Sequence, residues 1–524
     1  MDCSENTEKT LKNLSETKGK LYLLCLFIGI ITGFTVSFYR WGLEKISHIR
    51  EYFFQSSFLE SPFLFFKIWL VFMIVGFLLD FLYKKYPKTS GSGIPQVKAL
   101  ILGKMDYKNW FQELLAKFVA GVLGIGAGLS LGREGPSVQL GSYIGYGVSK
   151  IFKRSYKDRN YLIISGSSAG LAGAFGAPVA GVMFSIEEIY RYINGKLLTC
   201  VFISSIAANF IGRRIFGINT AFNLIISYPL NINHYLQFIL YIIFGVVIAF
   251  FGKLFTYALI KAQDIFNGTK APRWIKISTI MSSSFFLCFI FPEVLGGGHH
   301  LAESLGYRKE TLWFLVLIFI VKLVFTAISY STGFAGGIFL PMLVLGALVG
   351  KIFGETVDLF LATGGEFTIH FVVLGMAAYF VSVVRAPLTG IILILEMTGS
   401  FVLLFAIATT AIVSYYITEL LKQEPIYEIL YERMKKDNMD ADGKNKNKTI
   451  IKVHVMEGSE LDGKTISEAF SPEEMLVISI IKNEIEKIPN GKTMIKAGDV
   501  LVLLLPEEKV AEIKEKLIER ASVK

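Results

Sequence analysis

Up to Tyr427 the chain is organised by long apolar runs separated by short polar loops, at 21–39, 62–83, 236–260, 277–291, 311–329 and 401–421. Several are long enough to cross a ~30 Å hydrocarbon core, which takes roughly 20 residues of α-helix. Other apolar stretches, at 179–186 and 388–395, are too short to cross alone. Broken by Gly and Pro, they are tolerated at membrane depth only where protein or a water-filled cavity covers their backbone. This pattern predicts an all-α polytopic membrane protein with broken helices, and it fits a transporter or channel interior better than a simple receptor bundle.

Beyond Tyr427 the pattern changes. Residues 434–448 are rich in Lys, Asp and Asn without apolar periodicity, which predicts a solvated linker. Strands are then expected at 449–455, 475–481 and 500–505, and a helix at 507–520, where charged and aliphatic residues alternate with helical spacing. The expected division is a polar segment at 1–20, a membrane domain at 21–433, a linker, and a soluble α+β domain at 449–524.

Composition narrows the function classes. With 53% hydrophobic and 18% charged residues, the composition points to a membrane protein and away from an ordinary soluble enzyme. The net charge of +10 does not point to nucleic acid, because Lys84, Lys85, Lys88, Lys153, Arg154, Lys157 and Arg159 lie in short loops beside membrane segments. The positive-inside rule accounts for them. Cys3, Cys25, Cys200 and Cys288 have no paired spacing and form neither a disulfide frame nor a metal site. His299-His300, expected in a loop after Gly296-Gly297-Gly298, has no third ligand nearby, so neither a metal nor a cofactor is expected. The polar start followed by a long apolar run predicts a retained first span, not a cleaved leader.

Two stretches about 205 residues apart repeat one design. Gly132-Arg133-Glu134-Gly135-Pro136 continues to Gly141, and Gly336-Gly337-Ile338-Phe339-Leu340-Pro341 continues to Gly346. Downstream, Ala177-Pro178 and Ala386-Pro387 each reach a glutamate, Glu187 or Glu396, nine residues past the proline. The two glutamates are expected to form a structural pair capping backbone. Glycine followed by proline is a helix start. Helix starts in corresponding places of two halves, here about 21–215 and 225–431, point to an ion or solute site near the bilayer midplane. Taking a small ion into a low-dielectric interior costs of order 20 kcal/mol, and one helix N-terminus returns at most ~2 kcal/mol. Several helix ends and hydroxyl or amide donors must therefore converge.

Gly91-Ser92-Gly93-Ile94-Pro95, Gly132-Arg133-Glu134-Gly135-Pro136, Gly337-Ile338-Phe339-Leu340-Pro341 and Tyr427, after Pro425-Ile426, together resemble the CLC chloride channel and chloride/proton antiporter family over about 21–431. The resemblance implies a homodimer in the cell membrane, with a separate anion pathway in each subunit and two inverted-topology repeats per subunit. It assigns the central anion to the hydroxyls of Ser92 and Tyr427 and the amides of Ile338 and Phe339. Gly91, Gly93, Pro95, Arg133, Gly135, Pro136, Gly337 and Pro341 would support that site. Glu134 would be the gate: charged, it blocks the external end; protonated, it swings away. Burial favours the neutral form of such a carboxylate and helix-end amides favour the charged one, a balance that makes a proton-controlled gate feasible. Glu188 would be the internal proton-transfer residue that marks exchangers, the alternative being a helix-end charge paired with Arg191. Arg133, Lys117 and Lys322 are candidates for raising the positive potential along the pathway. Gln96 stands where family members often carry a carboxylate.

The expected function is a chloride antiporter moving chloride against protons. A passive chloride channel shares the fold, with Glu188 against it; a fluoride exporter would differ at Ser92 and Tyr427. A potassium transporter would need a TVGYG-like filter, which is missing from the sequence. A serine hydrolase acting through Ser92 would need a histidine base at membrane depth. The segments 458–466 and 495–501 resemble the C-terminal ligand-binding lobe of potassium-conductance regulators (TrkA-C type). That resemblance implies a cytoplasmic regulatory domain with a small soluble effector.

Overall fold

The structure, a computed structural model, describes the chain apart from residues 1, 56–61, 192–193, 218–219, 223, 225–232, 308–309, 362–364, 366, 442–447, 471–474, 483–484, 507–516, 518–519 and 522–524. It divides into two compact units, Met1–Glu432 and Arg433–Lys524.

Helices make up the first unit because, in lipid, a helix satisfies its own backbone. The first half holds α1 (Asp2–Gln55), α2 (Pro62–Lys85), α3 (Ile94–Ile101), α4 (Trp110–Gly126), α5 (Glu134–Ile151), α6 (Tyr156–Phe175), α7 (Pro178–Phe184) and α8 (Gly195–Phe216). The second holds α9 (His234–Gly268), α10 (Arg273–Ile290), α11 (His299–Ser304), α12 (Leu312–Ser331), α13 (Phe339–Leu361), α14 (Thr368–Val384), α15 (Pro387–Thr398) and α16 (Leu404–Leu420). A 3₁₀ turn precedes α3 and α11 alike, at Pro87–Thr89 and Pro292–Val294. The halves therefore contain the same elements in the same order, the duplicated architecture of two inverted repeats, and α17 (Ile426–Ala441) follows both. Among the described residues, six helices are long and apolar enough to cross a membrane.

Small residues set the packing. A Cβ on Gly141 of α5 would fall on the carbonyl of Gly166 in α6, and one on Gly346 of α13 would fall on that of Gly375 in α14. Both helix pairs thus cross at near backbone contact, as membrane helices do when small residues face each other. The halves are stitched where their glycine-rich stretches meet: the Gly132 N–H donates to the Gly337 carbonyl at 2.6 Å, and the Gly337 N–H returns to the Gly132 carbonyl at 2.7 Å.

The second unit is built on β1 (Lys448–His454), β2 (Leu476–Lys482), β3 (Ile485–Lys487) and β4 (Val500–Pro506), an antiparallel sheet of order β1-β4-β2-β3. Val453, Leu461, Phe470, Val477, Leu501 and Leu503 form part of its core. The short helix α18 (Ile466–Ala469) starts with a capping box in which Glu468 accepts from the Thr465 N–H at 2.8 Å. These bonds from Thr465 hold the Glu468 carboxyl below the usual range. The three expected strands lie within a residue of β1, β2 and β4; the expected helix at 507–520 falls largely outside the described residues. The expected linker is corrected in part: α17 runs to Ala441, and 442–447 lie outside the described residues. Lys, Met and Ala form helix readily, so a polar stretch can prolong an existing helix without apolar periodicity.

Candidate functional site

The glycine-rich stretches of the two halves converge through backbone bonds among Gly91, Gly132, Gly333, Gly336 and Gly337, and Ser92, Glu134, Ile338 and Phe339 lie in or beside these stretches. Gly91 and Gly93, at φ 58° and 93°, turn the chain sharply into α3, with Pro95 in its first turn. Glycine adopts such angles without steric cost. The turn is held from several sides: the Gly91 N–H donates to Gly333 O and the Gly336 N–H to Gly91 O, both at 3.0 Å. Lys117 Nζ donates to the carbonyls of Thr89 at 2.9 Å and Gly91 at 2.7 Å. Ser92 is thereby pressed onto the start of α5, where a Cβ on Gly135 would meet the Ser92 carbonyl at 2.6 Å. Any larger residue at 135 would push Ser92 away.

From the second half, α13 opens at Phe339, and its first-turn amides have no acceptor within their own helix. Ile338 and Phe339 are fully buried. The Phe339 ring packs against Phe380 at 4.7 Å, Phe175 at 5.2 Å and Phe184 at 6.1 Å, and Phe184 in turn meets Tyr427 at 6.5 Å. Tyr427, in the first turn of α17, is buried and does not belong to an interfacial belt. Its hydroxyl interacts with the Ser92 side chain and lies within electrostatic reach of both Glu134 and Glu188.

Glu134 begins α5 and is fully buried. Its carboxylate faces the backbone N–H groups of Glu134 itself and of Leu340, while Arg133 Nε stands 4.0 Å from Oε1. The carboxylate thus lies between the starts of α5 and α13, where opposed helix dipoles favour negative charge. Glu188 lies in a π-helical segment, Ser185–Tyr190, that continues α7; such wide turns are frequent at functional sites. Its Oε2 is 3.6 Å from Arg191 Nη2, whose Nη1 is 3.3 Å from Glu428 Oε2; Lys98 also pairs with Glu428. The Arg191 pairing is therefore present, and it leaves Oε1 over.

Glu187 and Glu396 cap backbone reciprocally. Glu187 accepts from Leu388 N at 3.1 Å and Thr389 N at 2.7 Å, opening α15; Glu396 accepts from Val179 N at 3.1 Å and Ala180 N at 2.8 Å, opening α7. Lys322, the counterpart of Lys117, donates to the carbonyls of Val294 at 2.7 Å and Gly296 at 2.9 Å. Both lysines hold loops in place. Gln96 turns inward, its Nε2 donating to Ser90 O at 2.9 Å. His299 opens a short helix instead of lying in a loop, and its ring stacks on His300 at 5.8 Å. Among the described residues no group of three or more His, Cys, Asp and Glu could hold a metal. Cys25 and Cys200, far apart in sequence, are brought together between α1 and α8, where their thiols interact.

Sequence reasoning missed the Lys98–Glu428–Arg191 cluster and the lysine–carbonyl contacts. Aligning the halves pairs Lys117 with Lys322 and would have flagged the latter; nothing local marks the former.

Buried polar atoms usually have partners. Here Ser92 Oγ, the Tyr427 hydroxyl, both Glu134 oxygens and one Glu188 oxygen complete no hydrogen bond. Two halves of broken helices whose starts converge on such atoms define a class, the duplicated polytopic membrane transporter with its site between opposed helix ends. Residues 75–419 match the voltage gated chloride channel family and residues 450–518 match the TrkA-C domain. The chain belongs to the voltage gated chloride channel family. It is 32% identical over 440 residues to the "H(+)/Cl(-) exchange transporter ClcA" of Vibrio parahaemolyticus serotype O3:K6, covering 81% of this chain and 92% of that one. It is 34% identical over 385 residues to the protein of that name from Klebsiella pneumoniae subsp. pneumoniae, covering 70% and 79%. Among solved structures, a slow cyanobacterial Cl⁻/H⁺ antiporter matches with TM-score 0.75 and 28% identity over 79% of this chain and 97% of that chain. A CLC-type fluoride/proton antiporter shares the fold at TM-score 0.65 and 23% identity, over 78% and 97%.

Proposed function

We propose that the chain is a proton-coupled chloride antiporter, acting as a homodimer in the cell membrane with one anion pathway in each subunit. The observation that carries this function is a set of buried polar groups with hydrogen-bonding capacity left over: the hydroxyls of Ser92 and Tyr427 and the Glu134 carboxylate near the helix starts of both halves, with one Glu188 oxygen within electrostatic reach of Tyr427. Hydroxyls of Ser92 and Tyr427 and amides of Ile338 and Phe339 hold the central anion. Both buried lysines that flank the region spend their protons on loop carbonyls, so the anion is held by neutral donors, weakly enough to leave. Glu134 competes with the anion for the starts of α5 and α13 when charged and vacates them when protonated. Glu188 carries the proton on the other side of Tyr427. Relatives named as exchange transporters, with the second buried carboxylate, favour exchange over a passive channel. Retained Ser92 and Tyr427 favour chloride over fluoride.

Reconstitution into vesicles tests this directly. A chloride gradient should drive protons in the opposite direction to chloride, at a fixed ratio. Chloride movement with no proton movement would leave the passive channel as the correct reading.

The TrkA-C domain, placed by this reading in the cytoplasm at about 449–524, binds a small soluble effector and tunes transport without forming the pathway. An effector acts only through a preference for one conformation of the assembly. Ending the chain after Ala441, where α17 ends, should keep the proton-to-chloride ratio and alter the rate or the effector response. Loss of all flux in a truncated protein that still folds would make the domain part of the transport machine.

A further inference from the structure

Up to α5 and α13 the two halves correspond residue by residue at an offset of 205, as in Gly91 with Gly296 and Gly128 with Gly333. Backbone angles follow: Gly91 and Gly93 stand at φ 58° and 93°, Gly296 and Gly298 at 59° and 85°. So do the loop bonds, Gly91 N–H to Gly333 O at 3.0 Å and Gly296 N–H to Gly128 O at 3.2 Å. The lysines complete the match, Lys117 on Thr89 and Gly91, Lys322 on Val294 and Gly296.

Side chains break this symmetry in one direction. Ser92 corresponds to Gly297, and Tyr330 of α12 corresponds to Ile125 of α4. Ile125 presents its methyl Cγ2 to Gly296, 4.0 Å from where a Cβ would stand; Tyr330 presents its hydroxyl to Gly91, 3.4 Å from the equivalent point. One backbone design is used twice, hydroxyl-lined in the first copy and apolar at these positions in the second. The Tyr330 hydroxyl also interacts with the Ser92 backbone N–H and lies within electrostatic reach of Tyr427. A phenol oxygen that accepts from an N–H still has its own proton to give.

We propose that Tyr330 is a third anion-binding hydroxyl, taking the Ser92 N–H on its oxygen and directing its proton into the space shared by the hydroxyls of Ser92 and Tyr427. This rests on the chloride site proposed above. It explains why an aromatic hydroxyl stands where the other half has isoleucine, and it gives the central anion three hydroxyl donors.

The test is calorimetric chloride titration of the purified full-length protein, with thermal unfolding measured with and without chloride, on wild type, Tyr330→Phe and Ser92→Ala. Losing a hydrogen bond to a charged partner should weaken chloride binding about tenfold or more in Tyr330→Phe. Without chloride its Tm should fall by what the orphaned Ser92 N–H costs, and beyond that the chloride-dependent rise in Tm should shrink. Unchanged or tighter binding in Tyr330→Phe, with Ser92→Ala weakened, would overturn the role of Tyr330 and leave the site standing; tighter binding would mean that Tyr330 only sequesters the Ser92 N–H. Equal behaviour of wild type and Ser92→Ala would overturn the site itself, and Tyr330 with it. Fluorotyrosine at 330 keeps the shape and strengthens the donor, so it should tighten binding; unchanged affinity there also counts against the proposal.

Discussion

Glu134→Gln should abolish proton movement in reconstituted vesicles while chloride still passes. The amide nearly matches the carboxylate in size and fits the same space between the starts of α5 and α13. It cannot carry a proton in and out, and it cannot compete as an anion for the N–H groups of Glu134 and Leu340 that face the native carboxylate. The gate is then unlocked at every pH. Chloride flux should lose its pH dependence, and the proton signal driven by a chloride gradient should fall to the level of empty vesicles. If Glu134 only satisfied its own helix end, the substitution would instead cost about 0.3–1 kcal/mol of stability, up to ~2 kcal/mol for a buried site, and coupling would survive. Simultaneous electrode recordings of chloride and protons separate these outcomes, because one removes proton flux selectively and the other leaves the ratio intact.

The helix starts around the proposed site are legible in the sequence, for a physical reason. A helix start needs glycine and proline at particular places, and a duplicated fold writes those places twice, so Gly132–Pro136 and Gly337–Pro341 announced themselves by comparison with each other. Membrane helices α1, α2, α9 and α12 are likewise plain from long runs more strongly apolar than the rest. Gly195–Phe216 and Phe339–Leu361 also reach membrane length yet did not stand out. Glycine, hydroxyl and amide side chains interrupt the apolar run of the first, and a buried lysine and the glycines at a close helix crossing interrupt the second. What sequence does not carry is where a side chain's partner comes from. Lys98 meets Glu428 across 330 positions, and Cys25 meets Cys200 only because α1 and α8 pack closely along small residues such as Gly29 and Gly33. Local patterns cannot encode such meetings. The reciprocal capping by Glu187 and Glu396 was foreseeable because symmetry named both members at once.

Glu188→Gln should also end proton coupling, and it tests the opposite end of the proposed proton route. Tyr427 lies within electrostatic reach of Glu188 as well as Glu134, so a carboxylate here can receive a proton on its own side and pass it toward the anion site without touching the anion. Chloride binding should therefore persist in the variant, and chloride flux with it, while proton movement falls to background. The competing account is the ion pair: Arg191 stands 3.6 Å from Glu188 and 3.3 Å from Glu428, which Lys98 also holds. If pairing were the whole role, Arg191→Leu would reproduce Glu188→Gln, since either change breaks the same contact. If Glu188 carries protons, Arg191→Leu keeps coupled exchange, with a rate altered by the loss of a neighbouring charge, and only Glu188→Gln uncouples. A Glu188→Gln protein that still moves protons at the wild-type ratio would remove Glu188 from the route and leave it a structural partner of Arg191.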